Sequence, residues 1–255
     1  MESHVRQVAQ EIIEADTTVA FTGAGISTDS GIPDFRGDSG IWERYDPDNF
    51  HIYRFHREPE QFWRDWIDLH DEIFAGSEIR PNPGHRALAD LEQAGYIDSI
   101  ITQNADGLHQ EAGTDKENVL ELHGNASRVV CQSCDTNFPA DPVQERARNG
   151  EIPPRCSNCS GLLKPGGVLF GEELPEYPLY MSQVLAERSD VFLVVGSSLT
   201  VQPAADFPKT AAEKGATLVI INLDPTPLSD RAEYTFRESA SEILPRIRDT
   251  VVRNG

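Results

Sequence analysis

Five short apolar runs, rich in β-branched residues, constrain this chain more than any other feature. They are TTVAFT (17–22), YIDSIIT (96–102), NVLELHG (118–124), DVFLVVG (190–196) and ATLVIIN (216–222). Helical patterns fill several of the gaps between them, as in PGHRALADLEQA (83–94) and PAADFPKTAAEK (203–214). Strands that alternate with helices predict a parallel sheet covered on both faces. Nearly unbroken apolar runs such as VFLVV and TLVII fit central strands buried on both sides. The expected fold class is α/β, a doubly wound parallel sheet of Rossmann type.

Two stretches break the rhythm. Residues 37–80 are rich in aromatics and charge, with a helical pattern around 58–75. Residues 125–172 hold every cysteine, several prolines and few periodic runs. Both read as insertions that together make a smaller module, leaving 1–36, 81–124 and 173–255 for the sheet domain. The cysteines form two Cys-x-x-Cys pairs, Cys131 with Cys134 and Cys156 with Cys159, separated by 21 residues. In a chain without an export signal this spacing predicts a tetrahedral zinc site rather than disulfides. A shell of four thiolates is closed to substrate, so the metal is expected to be structural.

Ligands of an open α/β sheet bind at the carboxyl ends of its strands. Here those ends carry Gly23-Ala24-Gly25, then Gln103-Asn104-Ala105-Asp106, His123-Gly124, Gly196-Ser197-Ser198 and Asn222-Leu223-Asp224. Five polar or glycine-rich clusters are thus expected on one rim. Gly23-Ala24-Gly25 suits either a tight turn or a phosphate cradle opening a helix. The dehydrogenase fingerprint is broken, because its third glycine position holds Thr28. The ribose-binding acid is also missing, since Glu43 sits in IWERY with no strand before it. The chain therefore reads as a dinucleotide binder that is not an ordinary dehydrogenase. An isolated histidine such as His123 is commonly a hydrogen-bonded core residue, but at the rim it also suits proton transfer. Asn104 and Asp106 read either as turn residues or as ligand-orienting groups. His109 reads as a structural partner. Phe35 and Arg36, in GIPDFRG, read either as an anchored loop or as a mobile lid over the cofactor.

The net charge of −20 argues against backbone-driven nucleic-acid binding. Only four of the 22 basic residues are lysine, which suggests a surface adapted to high salt. No apolar run approaches the ~20 residues of a membrane span. The polar N-terminal stretch lacks a signal-peptide core, which points to the cytoplasm.

The motifs GAGIS (23–27), GIPDFRG (31–37), TQNADGLH (102–109), ELHG (121–124), FGE (170–172), GSSLTVQPA (196–204) and INLD (221–224), with the two cysteine pairs, resemble the sirtuins. These are NAD-dependent protein lysine deacylases. The resemblance implies an NAD domain, a small zinc-and-helix domain and a cleft between them for acyl-lysine peptide. It implies that Gly23, Ala24, Gly25, Thr28, Phe35 and Arg36 line the NAD site. Gln103, Asn104 and Asp106 would hold nicotinamide and its ribose, with Asn104 and Asp106 counted as catalytic beside His123, the general base. Gly196, Ser197 and Ser198 would contact phosphate or ribose, and Asn222, Leu223 and Ala240 would surround the adenosine end. Val168 and Phe170, and the stretch from Thr200 to Gln202, would pair with the substrate strand. The implied reaction is attack of the acyl oxygen on the nicotinamide ribose. Two departures stand out. The stretch PGGVLFGE has Gly166 and Gly167 where the family usually carries β-branched residues, which loosens the floor of the acyl-lysine tunnel. Trp66-Ile67-Asp68-Leu69 occupies the place of the Tyr-x-x-Arg pair of desuccinylase relatives, so a neutral acyl group, acetyl first, is expected.

Overall fold

The computed structural model describes residues 2–35, 40–74 and 79–255. Its strands are β1 (Thr18–Thr22), β2 (Ser99–Thr102), β3 (Val119–Glu121), β4 (Gly124–Cys131), β5 (Asn137–Pro139), β6 (Leu163–Gly167), β7 (Val191–Val195), β8 (Thr217–Ile221) and β9 (Tyr234–Phe236). Its α-helices are α1 (Glu2–Glu14), α2 (Ile52–Arg57), α3 (Pro59–Phe74), α4 (Pro83–Gln93), α5 (Leu108–Glu111), α6 (Ala140–Arg148), α7 (Glu176–Arg188), α8 (Asp206–Lys214) and α9 (Ala240–Asn254).

Six strands form one parallel sheet in the order β3-β2-β1-β7-β8-β9. The chain winds outward from β1 in one direction and from β7 in the other, which is the Rossmann order. Side chains alternate between the two faces of each strand. Ala20, Leu193 and Val219 pack in one core with α1, α4 and α9. Phe21, Phe192 and Ile220 pack in a second core with α7 and α8. Burial of both faces explains why these strands read as unbroken apolar runs. Each fully buried Val, Leu, Ile or Phe among them contributes about 1.5–3 kcal/mol.

Four local features differ from the sequence reading. The strand expected from 96 starts only at Ser99, because residues 94–97 close α4: Gly95 adopts φ +80° and Tyr96 N–H reaches the Leu91 carbonyl at 2.9 Å. The strand expected to 124 ends at Glu121, and Gly124, at φ +70°, turns the chain into β4. β9 has three residues, too few to show an alternation in sequence. The helix expected after Gly25 is absent. Ala24–Ile26 and Thr28–Ser30 form two separate 3₁₀ turns, closed by Gly31 at φ +90°.

β5-β4-β6 make a small antiparallel sheet that leaves the large one after β3. Its apolar side shares one core with the helical insertion: Phe55, Phe62 and Trp63 pack with Val129, Leu163 and Leu169. The Trp63 indole donates to the Leu163 carbonyl at 2.9 Å, and Arg148 of α6 pairs with Asp71 of α3. Two segments far apart in sequence thus form one packed body.

Candidate active site

β1 and β7 pair along their whole length and end side by side, at the point where the strand order reverses. Their loops are pressed together. Gly23 N–H bonds the Val195 carbonyl at 3.0 Å and Gly25 N–H bonds the Gly196 carbonyl at 2.8 Å. A Cβ on Gly23 would lie 2.7 Å from the Gly196 oxygen, and one on Gly25 would lie 2.8 Å from the Gly196 Cα. These glycines are needed first for loop-on-loop packing, which lets two strand ends share one crevice. Thr28 is exposed, and its hydroxyl donates to the Gly25 carbonyl at 3.0 Å.

α4 locks the other side of the β1 loop. Asn82 caps the helix, accepting from Gly84 N–H at 2.9 Å and His85 N–H at 3.3 Å, with Pro83 at the first position. The same side chain donates to the Ile26 carbonyl at 2.7 Å and to Ser30 Oγ at 2.9 Å. This cap delivers His85 to the crevice.

A polar network then runs along the strand ends. Ser27 Oγ donates to Asp106 at 2.7 Å and accepts from Asn104 Nδ2 at 3.1 Å. With its proton committed to Asp106, Ser27 can only accept from His85 Nε2 at 3.4 Å. Asn104 Nδ2 also reaches the Gly23 carbonyl at 3.1 Å, and Gln103 Nε2 donates to Ser197 Oγ at 2.8 Å. Behind them, Thr22 bonds Thr102 at 2.8 Å and His109 Nε2 at 2.9 Å. His109 is buried and packs edge-on against His85 with ring centroids 5.0 Å apart. Burial pushes the Asp106 carboxyl up against the pull of the Leu108 N–H and Ser27 hydroxyl. Burial also holds His85 at about 4, so it stays neutral near pH 7.

His123 lies half-buried beside this network, with Nδ1 2.8 Å from the Gln103 carbonyl. A carbonyl only accepts, so Nδ1 carries the proton and Nε2 carries the lone pair. That is the tautomer a general base needs. Three aromatic rings pack in a row: Phe35 on Trp42 at 5.4 Å, and Trp42 on Phe170 at 5.5 Å. Phe170 uses its own backbone elsewhere, its N–H bonding Phe50 and its carbonyl accepting from Ile52, so it presents its ring. Val168 N–H bonds the His123 carbonyl at 2.9 Å. Arg36 lies outside the described residues.

The other expected residues lie at neighbouring strand ends. Ser198 is exposed and bonds Thr200 at 2.9 Å. Asn222 follows β8, its N–H bonded to the Phe236 carbonyl at 3.1 Å. Leu223 is 62% exposed, a large apolar side chain available to stack on a ligand. Ala240 is buried at the start of α9 against Gly84. Ser27, His85, Thr22 and Thr102 belong to the same polar network, and sequence reasoning misses them. Ser27 had a signal, lying two residues past Gly25, whereas His85 is indistinguishable from an ordinary helix residue until the Asn82 cap is seen.

The four cysteines converge as expected, with every sulfur within 4.8 Å of the others. Tetrahedral zinc with bonds of ~2.3 Å sets its sulfurs about 3.8 Å apart. Cys131 to Cys159 measures 3.5 Å and Cys134 to Cys156 measures 3.8 Å. Both pairs use the same knuckle. Ser133 N–H points at Cys131 and Asn158 N–H at Cys156, each at 3.4 Å, while Asp135 and Ser160 take positive φ. The donor set fits one closed structural zinc.

Residues 23–203 match the Sir2 family. This chain belongs to the Sir2 family. It is 48% identical to the NAD-dependent protein deacetylase of Haloarcula marismortui over 241 residues, 94% of this chain and 92% of that one. It superposes with a TM-score of 0.88 on a Sir2 structure with deacetylated p53 peptide and 3'-O-acetyl ADP-ribose, at 38% identity, covering 96% of this chain and 97% of the other. A Sir2–p53 peptide–NAD+ structure superposes at 0.84, also at 38% identity, covering 95% and 96%. The two sheets and the four-cysteine cluster of this Sir2 member match the sirtuin expectation.

Proposed function

We infer that this Sir2 chain is an NAD-dependent protein lysine deacetylase that moves the acetyl group of acetyl-lysine onto ADP-ribose, releasing nicotinamide, deacetylated lysine and O-acetyl-ADP-ribose. The observation that carries this reading is His123 held in its basic tautomer beside the Asn104–Ser27–Asp106 network, at the point where the strand order reverses. When bound, NAD supplies a ribose carbon from which nicotinamide departs as the acetyl oxygen bonds to it. The chain supplies the surroundings. Gln103, Asn104 and Asp106 would orient the nicotinamide and its ribose, and Gly196, Ser197 and Ser198 would contact phosphate or ribose. Asn222, Leu223 and Ala240 take the adenosine end. His123 Nε2 takes a proton from a ribose hydroxyl. The Phe35–Trp42–Phe170 wall keeps water from the reacting carbon. Arg36 is assigned to the same lid on its motif alone.

A neutral acyl group suits the pocket. Leu69, at the place where desuccinylase relatives would carry a cation, is buried with Ile41 and Phe50. The domain division at 36/37, 80/81, 124/125 and 172/173 follows the two insertions. The acidic surface suits high salt and disfavours nucleic acid, and unpaired thiols suit a reducing cytoplasm. No helix among the described residues is long and apolar enough to cross a membrane. The test is nicotinamide release across a panel of acyl-lysine peptides. Acetyl-lysine should be turned over, and faster turnover of succinyl-lysine would refute the acyl assignment.

A further inference from the structure

Lys164 is one of only four lysines in the chain, and it is buried, 7% exposed. Its ammonium uses all three donors: the Pro165 carbonyl at 2.9 Å, the Gly167 carbonyl at 2.8 Å and Glu172 Oε2 at 2.9 Å. Glu172 Oε2 also accepts from Leu169 N–H at 2.7 Å, and Glu172 N–H returns to the Leu169 carbonyl at 3.1 Å. The pair therefore closes a ring around residues 164–172. That ring contains the two points where this segment is fastened to the cleft: Val168 to the His123 carbonyl, and Phe170 to Phe50 and Ile52.

Pairing with β4 and the buried Leu163 and Leu169 hold its first half and its middle, but its own backbone offers little stiffness. β6 is an edge strand, and Pro165 cannot donate to any neighbour. Gly166 is forced by close approach, since a Cβ there would lie 2.6 Å from the Asn125 carbonyl. Gly167 is not forced: a Cβ there would meet only the His123 oxygen, at 3.8 Å. Two consecutive glycines leave the backbone loose just before the substrate-facing residues. A buried ion pair seldom adds net stability over an apolar pair of similar size, because both charges must be desolvated. What it does add is a fixed geometry.

We propose that Lys164 and Glu172 are positioning residues for the acyl-lysine peptide, replacing with an ion-pair clamp the rigidity that Gly166 and Gly167 remove from the peptide-facing edge. The proposal rests on the deacetylase reading. The β1 and β7 loops of the NAD crevice, Gly23–Gly25 and Gly196–Ser198, lie outside the ring, so the clamp acts first on peptide.

The test is steady-state kinetics of Lys164→Met, Lys164→Arg and Glu172→Gln with an acetyl-lysine peptide, varying peptide and NAD separately, on protein with full zinc content. Misplacing the segment in Lys164→Met should raise the peptide KM about tenfold and leave the NAD KM within about twofold. Lys164→Arg, which keeps the cation, should recover most of the loss. An unchanged peptide KM in folded Lys164→Met overturns the proposal. So does a parallel rise of both KM values, which marks a merely structural role. If Lys164→Met does not fold, Glu172→Gln is judged by the same criterion. Absence of turnover in the wild-type protein would instead overturn the deacetylase reading itself, and the clamp with it.

Discussion

Acid should weaken this fold through a residue that touches the candidate site. His85 is 0% exposed, and burial depresses its pKa from 6.5 to about 4. The unfolded chain therefore binds a proton that the folded chain excludes. The stability involved is fully present above 6.5 and is lost as pH falls toward 4. From the two pKa values the loss is about 2 kcal/mol at pH 5 and about 3 kcal/mol at pH 4. His109, pushed well below its usual value by burial and then by its neighbour His85, adds a loss that also begins as pH falls through 6.5 and is common to the wild-type protein and a His85 variant. Asp106, whose pKa is raised, works in the opposite direction. His85→Gln isolates the first effect, because a glutamine amide nitrogen can take the place of Nε2 and keep the bond to Ser27. Urea unfolding followed by tryptophan fluorescence at pH 7 and pH 5 measures it. The wild-type protein should lose about 2 kcal/mol more than the variant between the two pH values, with zinc release and Asp106 common to both. Equal losses would show that His85 is not held neutral by burial, and the described network would be wrong at that point.

Two further perturbations test the packing that supports the site. Cys131→Ser should abolish zinc binding, measured by elemental analysis. It should also unfold the β5-β4-β6 module while the six-stranded sheet persists, because structural zinc supplies about 10 kcal/mol of folding energy in small modules. A variant that keeps one zinc and its near-ultraviolet spectrum would contradict the closed four-sulfur site. Gly25→Ala should cost about 2–3 kcal/mol by thermal unfolding, since its methyl would meet Gly196 backbone that cannot yield. A cost below about 0.5 kcal/mol, the scale of a neutral surface change, would show that the two loops are not packed as described.

The parallel sheet was legible because both faces of β1, β7 and β8 are buried, which leaves an unbroken apolar signal. β9 was not, because three residues at an edge carry no period. The zinc site was legible from spacing alone, since no other cysteines compete. The glycines do follow β1 and β7, and they let the two loops meet, with no long helix after Gly25. Polar groups directly after strands could be read from sequence as a rim. Residues delivered from a helix or from the last position of a strand, such as His85 and Thr22, could not, because their role depends on the Asn82 cap and on the β1–β2 pairing. Lys164 gave no signal either, as a buried lysine reads as a surface one until its partners are seen, and Glu172 stood out only as part of FGE.

Product stoichiometry tests the central claim most directly. The protein is incubated with NAD and an acetyl-lysine peptide, and products are quantified by mass spectrometry. One nicotinamide, one deacetylated lysine and one O-acetyl-ADP-ribose should appear per turnover, and His123→Ala should abolish all three while keeping zinc content and fold. Free acetate without acetylated ADP-ribose, ADP-ribose attached to protein in place of deacetylation, or undiminished turnover by His123→Ala would contradict the account.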